Sequence, residues 1–192
     1  HSGVAAFAEF AVISEHSLVK IEQDIPFEHA ALFGCGVMTG VGAVLNTSKL
    51  KVNDTVAIIG LGGVGLSALM AARAGGASRV IGIDIIPSKL ASALDFGASE
   101  VFNAGDKDVV AKVKQATQGG VDIALEAAGV PQALELAFSI TAAGGNTVAA
   151  GLPNPKREIN ISHFTLVAHE RKLLGSYMGS CIPSRDIPRF IG

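Results

Sequence analysis

The sequence contains no tryptophan, one tyrosine and two cysteines in 192 residues. Cys35 and Cys181 cannot build a disulfide framework, which points to a reducing, cytoplasmic location. A basic excess is also missing: 15 Lys and Arg stand against 17 Asp and Glu, a net charge of −2. That excludes the positive footprint on which nucleic-acid binding depends. Charged residues are only 17% of the chain and hydrophobic residues 49%, which excludes disorder. No apolar run is read as reaching the roughly 18 residues of a membrane helix. The longest candidate, Val64–Ala74, is broken by Ser67 and Arg73, so no membrane partner is expected. A signal-peptide pattern is absent. The chain opens His1-Ser2-Gly3 and closes on Ile187–Gly192, which resembles a helix cut short, so it reads as an excised piece of a longer protein.

What is abundant is glycine, 23 residues, with an apolar mass of Ala, Val, Ile and Leu. This composition suits buried parallel strands under closely packed helices. Phe7–Ile13 and Leu18–Ile21 read as short extended segments around polar Ser14–Ser17. Pro26 opens a helix with Phe27, Ala30, Ala31 and Phe33 on its apolar side. The glycine-rich stretch Gly34–Gly42 starts a further helix ending near Thr47, and Lys49–Asp54 connects. Strand-like runs then alternate with helix-like ones. The strands are Thr55–Gly60, Arg79–Asp84, Val101–Phe102, Val121–Glu126, Gly145–Gly151 and Leu173–Met178. The helices are Val64–Ala74, Pro87–Phe96, Lys107–Thr117, Pro131–Ile140 and Phe164–Glu170. Such alternation predicts an α/β fold, a Rossmann-type doubly wound six-stranded parallel sheet.

The first strand leads into Gly60-Leu61-Gly62-Gly63-Val64-Gly65, a G-x-G-x-x-G. Gly60 permits the tight turn, Gly62 lets a pyrophosphate approach the backbone, and Gly65 lets helix pack on strand. The phosphates would rest on free N–H groups at the positive helix end. Asp84, 19 residues after Gly65, closes the next strand. A carboxylate there accepts both ribose hydroxyls and repels a 2′-phosphate, so NAD is expected over NADP. No Arg follows closely, and Lys89 can touch ribose or phosphate. Without those surroundings the glycines would be an ordinary tight turn. By themselves Cys35 and Thr39 are bland: a buried thiol and a helix hydroxyl bonding its own backbone. His16, His29, His163, His169 and Cys181 form no chelating constellation with Cys35.

Leu32-Phe33-Gly34-Cys35-Gly36-Val37-Met38-Thr39-Gly40, followed by the glycine loop and Asp84, resembles the zinc-dependent medium-chain alcohol dehydrogenases. Phe7–Phe10, Gly144–Pro153 and Gly175–Gly179 resemble that family in order and spacing, so the likeness covers essentially the whole chain. The resemblance implies that Cys35 is one ligand of a catalytic zinc, completed by residues outside this chain. It implies that Thr39 and Val64 hold the nicotinamide, and that Gly60, Leu61, Gly62, Gly63, Val64 and Gly65 hold the pyrophosphate. Asp84 and Lys89 would contact the adenosine ribose, with Ile85 and Ala128 flanking the adenine. The backbone of Ala150, Gly151 and Leu152 and of Ser176, Tyr177 and Met178 would hold the carboxamide and its ribose. It further implies hydride transfer between an alcohol or aldehyde and NAD, and a homodimer formed through the last sheet strand.

Residues 1–36 are read as a remnant of a GroES-like catalytic domain, 37–178 as the NAD-binding domain and 179–192 as a return segment. On that division the chain alone is expected to be inactive. Two other readings stay open. A zinc-free quinone or enoyl reductase would be recognised by metal analysis of the full-length protein. A non-catalytic NAD-binding module would bind without turnover on any alcohol.

Overall fold

The computed structural model describes residues 7–191. Six strands form one sheet in the order β3-β2-β1-β4-β5-β6, every neighbouring pair parallel. They are β1 (Thr55–Ile59), β2 (Arg79–Asp84), β3 (Glu100–Asn103), β4 (Val121–Glu126), β5 (Thr141–Ala149) and β6 (Lys172–Gly175). The helical run α1 (Phe27–Thr47) precedes the sheet. The helices that follow are α2 (Gly63–Ala74), α3 (Pro87–Asp95), α4 (Val109–Ala116), α5 (Pro131–Ile140), α6 (His163–Ala168) and α7 (Pro183–Ile191). The expected doubly wound α/β sheet is therefore present.

Both faces of the sheet are covered, which explains strands without polar alternation. Val56 and Ile58 of β1 point to a core shared with Ala43, Val44, Ala68, Leu69 and Ala72 of α1 and α2. Ala57 and Ile59 point the other way, to Val109, Val113, Ala133, Ala137 and Ile140 of α4 and α5. Gly40 lets α1 approach α2 closely, because a Cβ there would sit 2.2 Å from the Val64 carbonyl oxygen.

Several expectations are corrected. Phe7–Ile13 and Leu18–Ile21 form no strand; the only regular element there is a 3-10 turn, Glu15–Ser17. Among the described residues no strand pairs with them, and Phe7, Phe10 and Val12 are exposed. The two helices expected before residue 48 are one continuous run, with π-helical turns at Phe33–Val37 and Ala43–Thr47. Phe27 and Ala31 lie exposed rather than on a buried side. At 21 residues and mean hydropathy 1.5, this run is long and apolar enough, by length and composition, to cross a membrane. It escaped the sequence reading because glycines and single polar residues punctuate it. From Met38 onward it is a core helix of the domain: Met38, Ala43 and Val44 are buried.

β5 starts earlier than expected, at Thr141, directly after α5. Its pairing with β4 shifts register between Val121 and Ile123, around Gly144 at φ +74°. The Thr141 and Thr147 hydroxyls, 2.7 Å apart, bridge that bulge. β6 ends at Gly175 instead of Met178, because Met178, Gly179 and Ser180 all take positive φ and turn the chain away.

α7 is fastened to α1 by the fully buried Asp186. Its carboxylate accepts from Arg185 Nε at 2.9 Å and from the Ile182 N–H at 2.8 Å, and Asn46 Nδ2 lies 3.4 Å away.

Two outcomes test this packing. G40A should cost at least about 2 kcal/mol by forcing α1 off α2, whereas G34A, with open space around its Cβ, should gain about 0.5 kcal/mol from helix propensity. Urea midpoints of the two variants check this. Arg185 holds the Asp186 carboxyl down to about 2, below the usual 3.8. The stability it contributes is present above the unfolded value and lost as pH falls through about 2. The melting-temperature gap between wild type and D186N should therefore narrow on acidification.

Candidate functional site

The strand order reverses between β1 and β4, and the chain crosses there from one face of the sheet to the other. β1 ends in Ile59 and is followed by Gly60 at φ +92°, a conformation that disfavours any side chain. A Cβ on Gly60 would also strike the Ala128 N–H, 2.8 Å away, and one on Gly65 would lie 1.8 Å from the Gly60 carbonyl oxygen. These two glycines are therefore required by the fold. Gly62 and Gly63 differ: a Cβ on either would meet nothing within 4 Å. Gly62 is the N-cap of α2 and offers no side-chain acceptor to the first N–H groups of the helix. The result is an open concavity at the positive end of a 12-residue helix, whose first N–H groups have no partner among the described residues.

Asp84 ends β2 beside this loop and is 7% exposed. Its Oδ2 accepts the Leu61 N–H at 2.7 Å and its Oδ1 the Ile86 N–H at 3.0 Å, while Lys89 Nζ lies 3.9 Å from Oδ2. The carboxylate thus fixes the glycine loop, and its ion pair with half-exposed Lys89 is worth little alone. Asp84, Ile85, Gly60 and Ala128 line one cleft of about 450 Å³, with Ala104, Val109 and Val130 making it largely apolar. Gln132, Glu135 and Ser139 supply its other polar groups.

On the other side of the loop, Thr39 is 7% exposed, and its Oγ1 is 3.9 Å from Met178 Sδ. Gly40 places α1 against the carbonyl of Val64, so Thr39, Val64 and Met178 are gathered at one end. Gly129, at φ +71°, lies against Leu152, whose carbonyl oxygen would be 3.1 Å from a Cβ there. The Ala150 and Gly151 N–H groups donate to the Glu126 carbonyl at 2.9 and 3.1 Å. Ser176 is buried with its hydroxyl 2.8 Å from Thr47 Oγ1, and the Tyr177 side chain is exposed.

Cys35 is exposed within the π-helical turn Phe33–Val37. Among the described residues no three of His, Cys, Asp and Glu lie together as metal ligands. Cys181 is tied into the α7 junction, with Asn46 Nδ2 3.4 Å from its Sγ, and burial pushes its thiol upward.

The sequence reading missed Glu126. This carboxylate, 2% exposed, closes β4 as Asp84 closes β2. Its Oε1 accepts the Ala128 N–H at 2.7 Å and the Gly129 N–H. Burial pushes its carboxyl above the usual 4.5, against the lowering effect of those N–H bonds. A signal was available: Glu126 ends an otherwise uncharged central strand apart from Asp122.

Residues 63–191 match the family model described as zinc-binding dehydrogenase. Alcohol dehydrogenase 1 of Petunia hybrida is 38% identical over 98% of this chain and 50% of its own length. The benzyl alcohol dehydrogenase structure from Acinetobacter calcoaceticus is 35% identical with TM-score 0.94, over 98% of this chain and 52% of that one. A Sinorhizobium meliloti 1021 protein solved bound to NADP is 27% identical with TM-score 0.72, over 82% of this chain and 48% of its own. The chain spans about half the length of the curated relatives it matches. With its parallel sheet, its glycine loop and its carboxylate at the end of β2, this chain belongs to the zinc-binding dehydrogenase family.

Proposed function

We propose that this chain is the dinucleotide-binding part of an NAD-dependent alcohol dehydrogenase acting between an alcohol and its aldehyde. The observation that carries the reading is the open concavity at Gly62 and Gly63 beside the Asp84 carboxylate. The concavity accepts a pyrophosphate where a Cβ would fill the space, and unpaired N–H groups face it. The apolar cleft between Ile85 and Ala128 accepts an adenine. Lys89 and Asp84 face the ribose, where the carboxylate favours free hydroxyls and opposes a 2′-phosphate. The NADP-bound relative supports a nicotinamide cofactor as a class, and Asp84 supports the unphosphorylated form. Bound there, the dinucleotide supplies the hydride acceptor or donor. Thr39, Val64 and Met178 orient its nicotinamide end, with the backbone at Ala150–Leu152 and Ser176–Tyr177 alongside.

Zinc does not fit the described residues taken alone, since no three His, Cys, Asp or Glu side chains gather among them to hold it. Cys35 is proposed as a single thiolate ligand to a zinc whose other donors lie outside this chain, and this chain by itself as inactive. The division into 1–36, 37–178 and 179–192 belongs to the same proposal. Its first boundary falls inside α1, where exposed residues give way to buried ones at Met38. A second copy is the proposed partner, because β6 is a sheet edge whose outer side meets no further strand among the described residues.

NADH at 100 times its dissociation constant should stabilise the chain by about 2.7 kcal/mol. NADPH should shift the melting temperature less, and D84A should reduce that difference. An equal shift with NADPH would count against the role of Asp84. G62A should lose no more than about 1 kcal/mol of stability, the cost of Ala in place of Gly at an N-cap, yet bind NADH at least about tenfold more weakly, since its methyl enters the empty concavity. Sedimentation at micromolar concentration should show a dimer; a monomer alone would remove the β6 pairing.

A further inference from the structure

The turn that follows β4 forms one wall of the nucleotide cleft, and a single buried side chain holds it. Glu126 Oε1 accepts the N–H groups of both Ala128, at 2.7 Å, and Gly129. The main chain of the same residue is tied elsewhere: its carbonyl accepts the Ala150 N–H at 2.9 Å and the Gly151 N–H at 3.1 Å. Residue 126 therefore joins the exit of β5 to the entrance of α5. The turn is also pressed on the glycine loop, where the Ala128 N–H lies 2.8 Å from the place of a Gly60 Cβ. A movement of Ala128 would thus be felt at the first glycine of the pyrophosphate loop and at the wall opposite Asp84.

We propose that Glu126 is a positioning residue for the nucleotide: its ionised carboxylate pins the Ala128–Gly129 turn, and taking up a proton loosens that wall and weakens cofactor binding. The inference rests on reading the cleft as a dinucleotide site. A carboxylate makes N–H bonds roughly twice as strong as a neutral acceptor does, so the two protonation states hold the turn differently.

The surroundings leave the charge to Glu126 itself. Ile59 and Gly60 at the end of β1 and Ala149–Gly151 at the end of β5 carry no titratable group. Arg157 shares the small cavity of about 70 Å³ next to the carboxylate. Glu135 of α5 and Asp84 of β2 face the neighbouring cleft. Among the described residues no ion pair reaches Glu126. Burial pushes its carboxyl above 4.5. Stability and binding should consequently respond in opposite directions. Just above the unfolded value the folded chain holds the proton more tightly, so this group's contribution to stability falls as pH rises. Over the same interval the pinned wall and cofactor affinity should gain.

The test is NADH affinity by fluorescence titration across about pH 5 to pH 9, for the wild type and E126Q. At the alkaline end E126Q should bind about tenfold more weakly, and in acid the two should converge. Over the same range the stability of the wild type relative to E126Q should fall as pH rises. Should E126Q not fold, the wild type alone decides. The Ala128 and Gly129 amide resonances should titrate together, in step with NADH affinity. Parallel pH profiles in the two proteins, or amide resonances that stay still, would overturn the role of Glu126. Failure of the wild type to bind NADH at any pH would instead remove the dinucleotide reading on which the role rests.

Discussion

The contact between Gly65 and the Gly60 carbonyl is the constraint around which the domain is arranged. A Cβ at residue 65 would lie 1.8 Å from that oxygen, so α2 can leave β1 at this angle only if residue 65 is glycine. The close approach brings Ala68, Leu69 and Ala72 down onto Val56 and Ile58. It also aims the N-terminus of α2 at the crevice where the sheet order reverses. α1 depends on the same geometry, since Gly40 rests on Val64 and Ala68. One glycine contact therefore sets the position of two helices and of the binding crevice between them.

Two buried carboxylates then finish the crevice, one on each side of β1. Asp84 on β2 ties down Leu61, and Glu126 on β4 ties down Ala128 and Gly129. Each accepts backbone N–H groups that would otherwise be left unpaired at a strand end, where a buried donor without a partner is costly. Their stabilising partners are main-chain dipoles rather than cations: the Lys89 ammonium is 3.9 Å from Asp84, and Glu126 has no ion pair among the described residues. Negative charge held in this way shapes a cleft without filling it.

The segment before the sheet behaves differently. Phe7, Phe10, Val12, Leu18 and Phe27 expose most of their apolar surface. A groove of about 990 Å³ between α1, α2 and α7 is lined by Leu32, Phe33, Val41, Met70 and Phe190. Exposed apolar surface on this scale marks interaction sites. It accords with a chain that spans about half the length of its curated relatives.

Local patterns in the sequence determined the α/β alternation. Arg79–Asp84, Val121–Glu126 and Pro131–Ile140 are legible with their observed bounds, because short runs rich in aliphatic residues and a proline at a helix start are local signals. The glycine loop and Asp84 were equally legible, since spacing alone couples a tight turn to a carboxylate one strand later. Tertiary structure decided what depends on partners distant in sequence. Phe7–Ile13 has strand-like residues but no neighbour to pair with among the described residues, and it forms no strand. β6 stops at Gly175 because the chain must turn at Met178–Ser180 to pack Gly179 against Gly42. Glu126 became significant only when the turn at Ala128–Gly129 folded back onto its carboxylate. Periodicity records which face of a segment is apolar, whereas the partner of a buried charge is fixed only when separate segments meet.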